Sequence, residues 1–208
     1  MTLSSTLTTS VLKTLTASIL FIGLSHAAYA DTSAANRLIE QYHVKVKEVL
    51  SGSQDATKVR NQIKTELAAI VDFPAFAELA LKKYYSSMNK KDKELYTDAF
   101  RSLIEATYVK RIKPGGGHEL IFRDEPEIRD GKVMVFTTVV KGDNEVDIDY
   151  LLHKVTEDSW KIYDIWIDEV SMARNYRSQF YKIYKEHGLR GPKGLLTHMT
   201  QRQREEAK

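Results

Sequence analysis

The chain has 208 residues, contains no cysteine and carries a formal net charge of +3. Without cysteine it can have no disulfide, no thiolate nucleophile and no cysteine-ligated metal, so core packing must provide its stability. The near-neutral charge gives no support to a general nucleic-acid-binding function.

The first thirty residues differ in composition from the rest of the chain. Lys13 is their one charged residue, and the apolar run Ala17–Leu24 precedes Ala28-Tyr29-Ala30, which has the small-x-small pattern of a cleavage site. The apolar run is too short to span a bilayer. The pattern therefore predicts a secretory signal peptide over residues 1–30, cleaved after Ala30, and a periplasmic location. A membrane anchor that stays uncleaved is the alternative.

Residues 31–208 would then form one mature domain, whose first half predicts helices. Apolar residues in this half recur at the spacing of three and four that is typical of an amphipathic helix. The predicted helices are Ala34–Val49, Asp55–Ile70, a third that follows the N-cap Asp72 with Pro74 in its first turn, and a fourth from the N-cap Asn89 to about Arg111.

Four strands are predicted after the glycine-rich turn at residues 114–117. They cover about His118–Arg123, Lys132–Val140, Glu145–Val155 and Trp160–Ile167. The second is apolar on both faces, which predicts a central position in the sheet. These strands and the turns between them indicate an antiparallel meander.

Alternation along the third and fourth strands assigns side chains to faces. In the third, one face is apolar and the other carries Asp147 and Asp149, which we expect to meet water. In the fourth, the period places Asp164 on the same face as Trp160, Ile162 and Trp166.

Two more helices are predicted at the C-terminal end. Ser171 is the expected N-cap of a helix that runs to about His187, and the last helix begins near Gly194. Residues 201–208 are polar enough that we expect them to fray. Helices, then strands, then helices indicate an α+β fold, in which a curled four-stranded antiparallel sheet packs against several helices around a cone-shaped interior.

No constellation of residues indicates catalysis or metal binding. A carboxylate beside tryptophans, such as Asp164, could have a raised pKa and act as a base, but a structural hydrogen bond is the favoured interpretation because no second catalytic group accompanies it. The five histidines of the mature chain lack the spacing of a metal site, and Ser171 has no nucleophile-elbow context. We therefore expect a protein that is not an enzyme and has no cofactor.

Three basic clusters, at residues 82–83, 90–93 and 110–113, are typical of a solvated surface. If two of them met at the mouth of a cavity, they could attract anionic head groups or an acidic partner. Lys110–Lys113 is a candidate docking loop on the same grounds.

Several blocks of the sequence resemble the MlaC family of periplasmic phospholipid-binding proteins, also called the toluene-tolerance auxiliary family. These blocks, in family order, are Val71–Leu81, Tyr96–Ile104 with Thr107-Tyr108, Asp149–Leu152, Trp160–Asp164, and Val170–Met172 with Asn175–Ser178. The chain departs from the family pattern twice: Asp168-Glu169 stands where the family usually has Glu-Gly, and Pro192-Lys193-Gly194 is an addition before the last helix.

The resemblance implies a monomeric carrier with a fold related to the nuclear-transport-factor cone, without enzyme activity. Its cargo would be a phospholipid, carried between an outer-membrane lipoprotein and porin complex and the substrate-binding ring of an inner-membrane ABC transporter, with transient contact to the membrane surface. Such a carrier maintains the lipid asymmetry of the outer membrane. Alternatives are a carrier of other apolar lipids, such as hopanoids, and a cone-fold enzyme that uses Asp164 as base.

Apolar side chains from both halves are the candidates for lipid contact, around a hollow that we expect beneath the tryptophan-bearing strand. Periodicity alone does not distinguish such a lining from an ordinary packed core. The candidates are Val71, Phe73, Phe76, Leu79, Tyr84, Phe100, Leu103, Tyr108, Val135, Ile148, Tyr150, Leu152, Trp160, Ile162, Trp166, Val170, Tyr176 and Phe180.

Overall fold

The computed structural model describes residues 15–115, 117–157 and 159–206. Residues 1–14, which include Lys13, lie outside that range. The signal peptide over residues 1–30 and its cleavage after Ala30 stay predictions. Within the described residues, no helix combines the length and the apolar character needed to cross a membrane.

The N-terminal half is helical, as predicted, and its capping residues explain where the helices begin. The helices are α1 (Leu15–Gly52), α2 (Ala56–Ile70), α3 (Phe73–Leu81), α4 (Lys83–Ser86) and α5 (Lys90–Tyr108), followed by a short 3-10 turn (Val109–Arg111). The Oδ1 atom of Asp72 accepts a hydrogen bond from the Ala75 N–H at 3.0 Å, and that of Asn89 accepts one from the Asp92 N–H at 2.9 Å. Both N-caps are thus confirmed.

The sheet has seven strands, so the prediction of four was wrong. The strands are β1 (Glu119–Phe122), β2 (Glu127–Arg129), β3 (Lys132–Val135), β4 (Thr137–Lys141), β5 (Asn144–Thr156), β6 (Ser159–Ile167) and β7 (Val170–Ser171). β2 and β7 have only three and two residues, too few for a period of two to be recognised.

The second predicted strand is divided at Phe136 into β3 and β4. Both halves pair antiparallel with β5, so that Val135 lies opposite Tyr150 and Thr138 opposite Asp147. On their other side, β2 pairs with β3 and β1 pairs with β4. The predicted central position is therefore confirmed for both halves. The sheet is open, and the cone of the nuclear-transport-factor type stays a prediction.

A register shift between β5 and β6 changes which side chains of β6 face the core. Leu151 pairs with Asp164, whereas the next residue, Leu152, pairs with Ile162, so Tyr163 is bulged out of the ladder. Trp160 and Ile162 consequently face the core, but Trp166 lies on the opposite face, across from Asp149. The prediction that the two tryptophans share a face was wrong because strict alternation does not survive a bulge.

The main core lies between the sheet and α3, α5 and α6 (Met172–His187). Its centre is aromatic: the ring of Phe100 is 5.1 Å from that of Phe76 in an edge-to-face contact and 5.5 Å from that of Tyr176. A second, smaller cluster joins α1, α2 and the 3-10 turn through Leu50 and Ile63, among others. The cavity described below borders this smaller cluster.

The C-terminal helix α7 (Leu195–Glu206) packs on α5. Leu195 and Met199 are fully buried, and the Gln203 side chain donates a hydrogen bond to the Ala99 carbonyl at 2.9 Å. The helix begins where it was predicted. Residues 201–206, which were expected to fray, are helical, and the side chains of Arg202 and Gln203 bond to α6 and α5. Residues 207 and 208 of that prediction lie outside the described residues.

Candidate functional site

A cavity of about 350 Å³ lies between α1 and the half of the sheet formed by β1, β4 and β5. Its volume is within the range of small-molecule sites in proteins. Residues of α1 form one wall, the sheet forms the opposite wall, and Ile63 of α2 and Ile112 contribute at the side. The full lining is Ile39, Tyr42, His43, Val46, Leu50, Ile63, Ile112, Lys113, His118, Leu120, Val139, Lys141, Ile148 and Tyr150.

Strand alternation explains why the sheet presents an apolar wall. Leu120 pairs with Val139, and Val139 pairs with Val146, so these side chains share one face of the sheet. Ile148 and Tyr150 extend that face along β5. The neighbour of Leu120, Ile121, is on the opposite face and is 44% exposed.

Basic side chains gather in the lining of this cavity. Lys113 and Lys141 are exposed. The rings of His43 and His118 meet edge to face at 4.8 Å. Burial, His118 and Lys47 each lower the pKa of His43, so it is neutral at pH 7.

Two tyrosines bring hydroxyl groups to the same cavity. Burial raises the pKa of Tyr150 to about 12, and it raises that of Tyr42 as well. Both phenols are therefore neutral hydrogen-bonding groups at physiological pH. The cavity thus combines an apolar wall with a few polar groups, as binding sites for small molecules do.

A family model described as "MlaC protein" matches residues 37–201. The chain belongs to the MlaC family. Among solved structures, this MlaC chain is similar to a phospholipid-binding protein from Ralstonia solanacearum that was determined in complex with a phospholipid. The two share 22% sequence identity with a TM-score of 0.70, and the match covers 83% of this chain and 98% of the other. At this identity the likeness shows the fold alone. No curated protein gives a significant match.

Of the residues predicted to contact lipid, Ile148 and Tyr150 line the cavity of this MlaC chain. Most of the others form the packed core: Val71, Phe73, Phe76, Phe100, Leu103, Val135, Leu152, Trp160, Ile162, Tyr176 and Phe180 are buried, and Leu79, Tyr84 and Tyr108 are partly buried against them. The space beneath β6, where the hollow was expected, is filled by these side chains. Trp166 is on the other face of the sheet, and Val170 is 56% exposed. The assignment of all these residues to lipid contact stays a prediction.

Sequence reasoning did not assign the α1 residues to the site. Ile39, Tyr42 and Val46 have helical spacing within the predicted helix Ala34–Val49, but such a stripe does not reveal whether it meets side chains or empty space. The available signal was that α1 and the apolar face of β5 are both half-buried surfaces that need a partner.

Asp164 was the strongest catalytic candidate, and the structure gives it structural partners. Its carboxylate accepts hydrogen bonds from the Ser171 hydroxyl at 2.5 Å, the Ile165 N–H at 2.9 Å and the Ala173 N–H at 3.1 Å. Burial raises its pKa, and these hydrogen bonds act in the opposite direction. Asp164 is 2% exposed and does not line the cavity, so it has no access to a substrate there. Ser171 also accepts from the Arg174 N–H, which confirms it as the N-cap of α6.

The prediction that Asp147 and Asp149 face water was wrong for Asp149, which is 7% exposed. Arg123 pairs with Asp149 at 2.7 Å and with Asp147 at 3.2 Å. The Thr137 N–H, next to the break between β3 and β4, also donates to Asp149 at 3.2 Å. The two carboxylates therefore stabilise the sheet beside the break between β3 and β4. Among the residues that the model describes, no group of three His, Asp or Glu side chains could hold a metal ion.

Proposed function

We propose that this MlaC-family protein is a periplasmic carrier that binds a phospholipid, with acyl-chain carbon in the cavity between α1 and the sheet. The observation that carries the proposal is the cavity itself, an apolar space of about 350 Å³ that no side chain of the described residues fills. The phospholipid complex of the structurally similar Ralstonia solanacearum protein supports the same chemistry.

The cavity volume limits how much lipid fits without movement. An apolar cavity of about 150 Å³ holds one benzene, so this one has room for roughly a dozen carbon atoms. At about 0.8 kcal/mol per methylene, their transfer from water would contribute on the order of 10 kcal/mol. A two-chain lipid would need more space, which displacement of α1 from the sheet could supply.

The same arithmetic explains how a carrier can both load and unload. A bilayer stabilises a methylene about as well as an apolar cavity does, so transfer of lipid from membrane to protein is close to balanced. We propose that the cargo passes between an outer-membrane complex and an inner-membrane ABC transporter, which are the partners that the family resemblance implies.

A pair of neighbouring substitutions on β1 tests the proposal. Leu120→Trp places a large ring in the cavity, whereas Ile121→Trp places the same ring on the exposed opposite face of the strand. Protein purified from a periplasmic preparation would be analysed by native mass spectrometry and lipid extraction. We expect phospholipid on the wild type and on Ile121→Trp, and at least a tenfold lower load on Leu120→Trp.

A wild-type protein that carries no lipid after gentle purification would contradict the proposal. Equal loads on the two variants would place the lipid elsewhere in the molecule. Extraction of a polycyclic lipid in place of phospholipid would favour the alternative carrier function.

A further inference from the structure

Among the described residues that line the cavity, the titratable side chains other than the two tyrosines are all basic. Its lining includes Lys113, Lys141, His43 and His118, and no Asp or Glu is among the described lining residues. Two acidic groups outside the lining act on its tyrosines, Glu66 on Tyr42 and Asp149 on Tyr150. Each has a basic partner of its own, since Glu66 pairs with Lys45 at 3.6 Å and Asp149 pairs with Arg123 at 2.7 Å.

The two lysines of this group, Lys113 and Lys141, have no acidic partner among the described residues. In the described part of the chain, neither ammonium group lies within ion-pair distance of a carboxylate. They lie on different elements: Lys113 follows the 3-10 turn after α5, and Lys141 ends β4. Two unpaired cations from separate elements at one cavity attract an anion placed between them.

The imidazole of His43 adds a hydrogen-bonding group rather than a charge. His43 is held neutral by burial and by the neighbouring His118 and Lys47, and a neutral imidazole keeps one N–H donor. Phosphate oxygens are acceptors that suit both ammonium and imidazole donors.

We propose that Lys113 and Lys141 form a phosphate-binding mouth that makes this carrier select phospholipids with a net negative head group. This inference rests on the proposed function and names its substrate class. A phosphatidylglycerol head group presents only its phosphate charge to the two lysines. A phosphatidylethanolamine head group brings an ammonium of its own, which the lysines repel and which no described acidic residue of the lining receives.

Competition between two lipids with identical acyl chains tests the selectivity. Delipidated protein would be incubated with vesicles of equimolar phosphatidylglycerol and phosphatidylethanolamine, and the bound lipids counted by native mass spectrometry. We expect wild-type protein to hold the anionic lipid in about tenfold excess, since each exposed charge pair contributes a few-fold preference. The double variant Lys113→Gln/Lys141→Gln should bring that ratio close to one.

The control removes the same charge elsewhere. Lys91→Gln/Lys185→Gln changes two exposed lysines on α5 and α6 that do not line the cavity, so its ratio should equal that of the wild type. A loss of preference in this control as well would mean that net charge, and not the mouth, selects the lipid, which would overturn the inference.

Single-lipid vesicles separate the two proposals. If wild-type protein takes up neither lipid, the carrier function fails. If it takes up both lipids and shows no preference in competition, the carrier function stands, but Lys113 and Lys141 do not select the head group and the inference fails. A further arm adds millimolar inorganic phosphate, and we expect the ratio of bound lipids to stay unchanged. The inference would be overturned if NMR showed phosphate binding at His43 and His118 while the lipid ratio was the same with and without Lys113 and Lys141. The mouth would then be a site for free phosphate.

Discussion

At the scale of single residues, Asp164 holds the end of β6 to the start of α6. Its buried carboxylate accepts hydrogen bonds from the hydroxyl of Ser171 and from the backbone N–H groups of Ile165 and Ala173. Asp164→Asn presents an amide N–H to these donors, so we expect a loss of about 2 kcal/mol in the free energy of unfolding. Urea titration followed by circular dichroism measures it, with the exposed Asp98→Asn as control.

The pH dependence of that loss has a definite sign. Burial raises the folded-state pKa of Asp164 above the unfolded value of 3.8, so the folded protein holds the proton more tightly. The stability contributed by the protonated form is therefore lost as the pH rises from about 3.8 through the folded pKa. The gap between wild type and Asp164→Asn should be larger at pH 4 than at pH 7. A gap that widens toward neutral pH would mean that the charge itself stabilises the fold.

The turn between β6 and β7 is the second residue-scale feature. Asp168 and Glu169 both have positive φ, at 47° and 65°, as a two-residue hairpin of the primed type requires. A left-handed conformation costs a side-chain-bearing residue about 1 kcal/mol, and glycine avoids it. We expect Glu169→Gly to stabilise the protein by about 1 kcal/mol in thermal unfolding. Glu169→Ala keeps the strain and should give no gain; an equal gain would assign the effect to the removed charge.

At the scale of elements, the position of α7 depends on one glycine. A Cβ atom on Gly194 would lie 2.3 Å from the carbonyl oxygen of Arg190, and backbone cannot yield as a flexible side chain can. We expect Gly194→Ala to lower the free energy of unfolding by about 3 kcal/mol, because α7 must move or the loop must open. Chemical denaturation measures the change. Gly52→Ala is the matched control, since a Cβ there meets nothing within 4 Å; a similar loss in both variants would contradict this account.

Elements whose signals are local could be predicted from the sequence. The side-chain caps at Asp72, Asn89 and Ser171 each act within three residues, and all three are found. The break at Phe136 and the bulge at Tyr163 could not be predicted, because they depend on pairing with β5, far along the chain. Because of the bulge, Trp166 lies on the face of the sheet opposite to the one predicted, so it does not share a face with Trp160 and Ile162.

At the scale of the whole molecule, the sequence located the apolar surfaces but not the gap between them. Phe76, Phe100 and Phe180 each lie on the buried face of a different helix, as residues of a cavity wall would. However, Phe76 and Phe180 both pack on Phe100 at the centre of the core. The open space lies instead where α1 crosses β1, β4 and β5. Whether two apolar faces meet is decided by the summed volumes of many side chains, and periodicity carries no volume information.

Removal of the lipid should therefore act mainly on α1. Ile39, Tyr42 and Val46 face the cavity, so an empty cavity leaves this side of the helix without full packing contacts. Beyond apolar packing, α1 is joined to the described remainder by the Lys45–Glu66 ion pair and by the Gly115 N–H bonded to the Leu50 carbonyl, among other contacts. We expect amides of residues 35–50 to exchange at least tenfold faster in delipidated than in loaded protein, while those of α5 change little. Hydrogen exchange with mass spectrometry measures both.

Leu120→Trp is the control, because its new ring fills the cavity. Its α1 amides should exchange slowly even without lipid. If lipid removal accelerated exchange equally in α1 and α5, the fold would open as one unit, and α1 would not open separately from the rest.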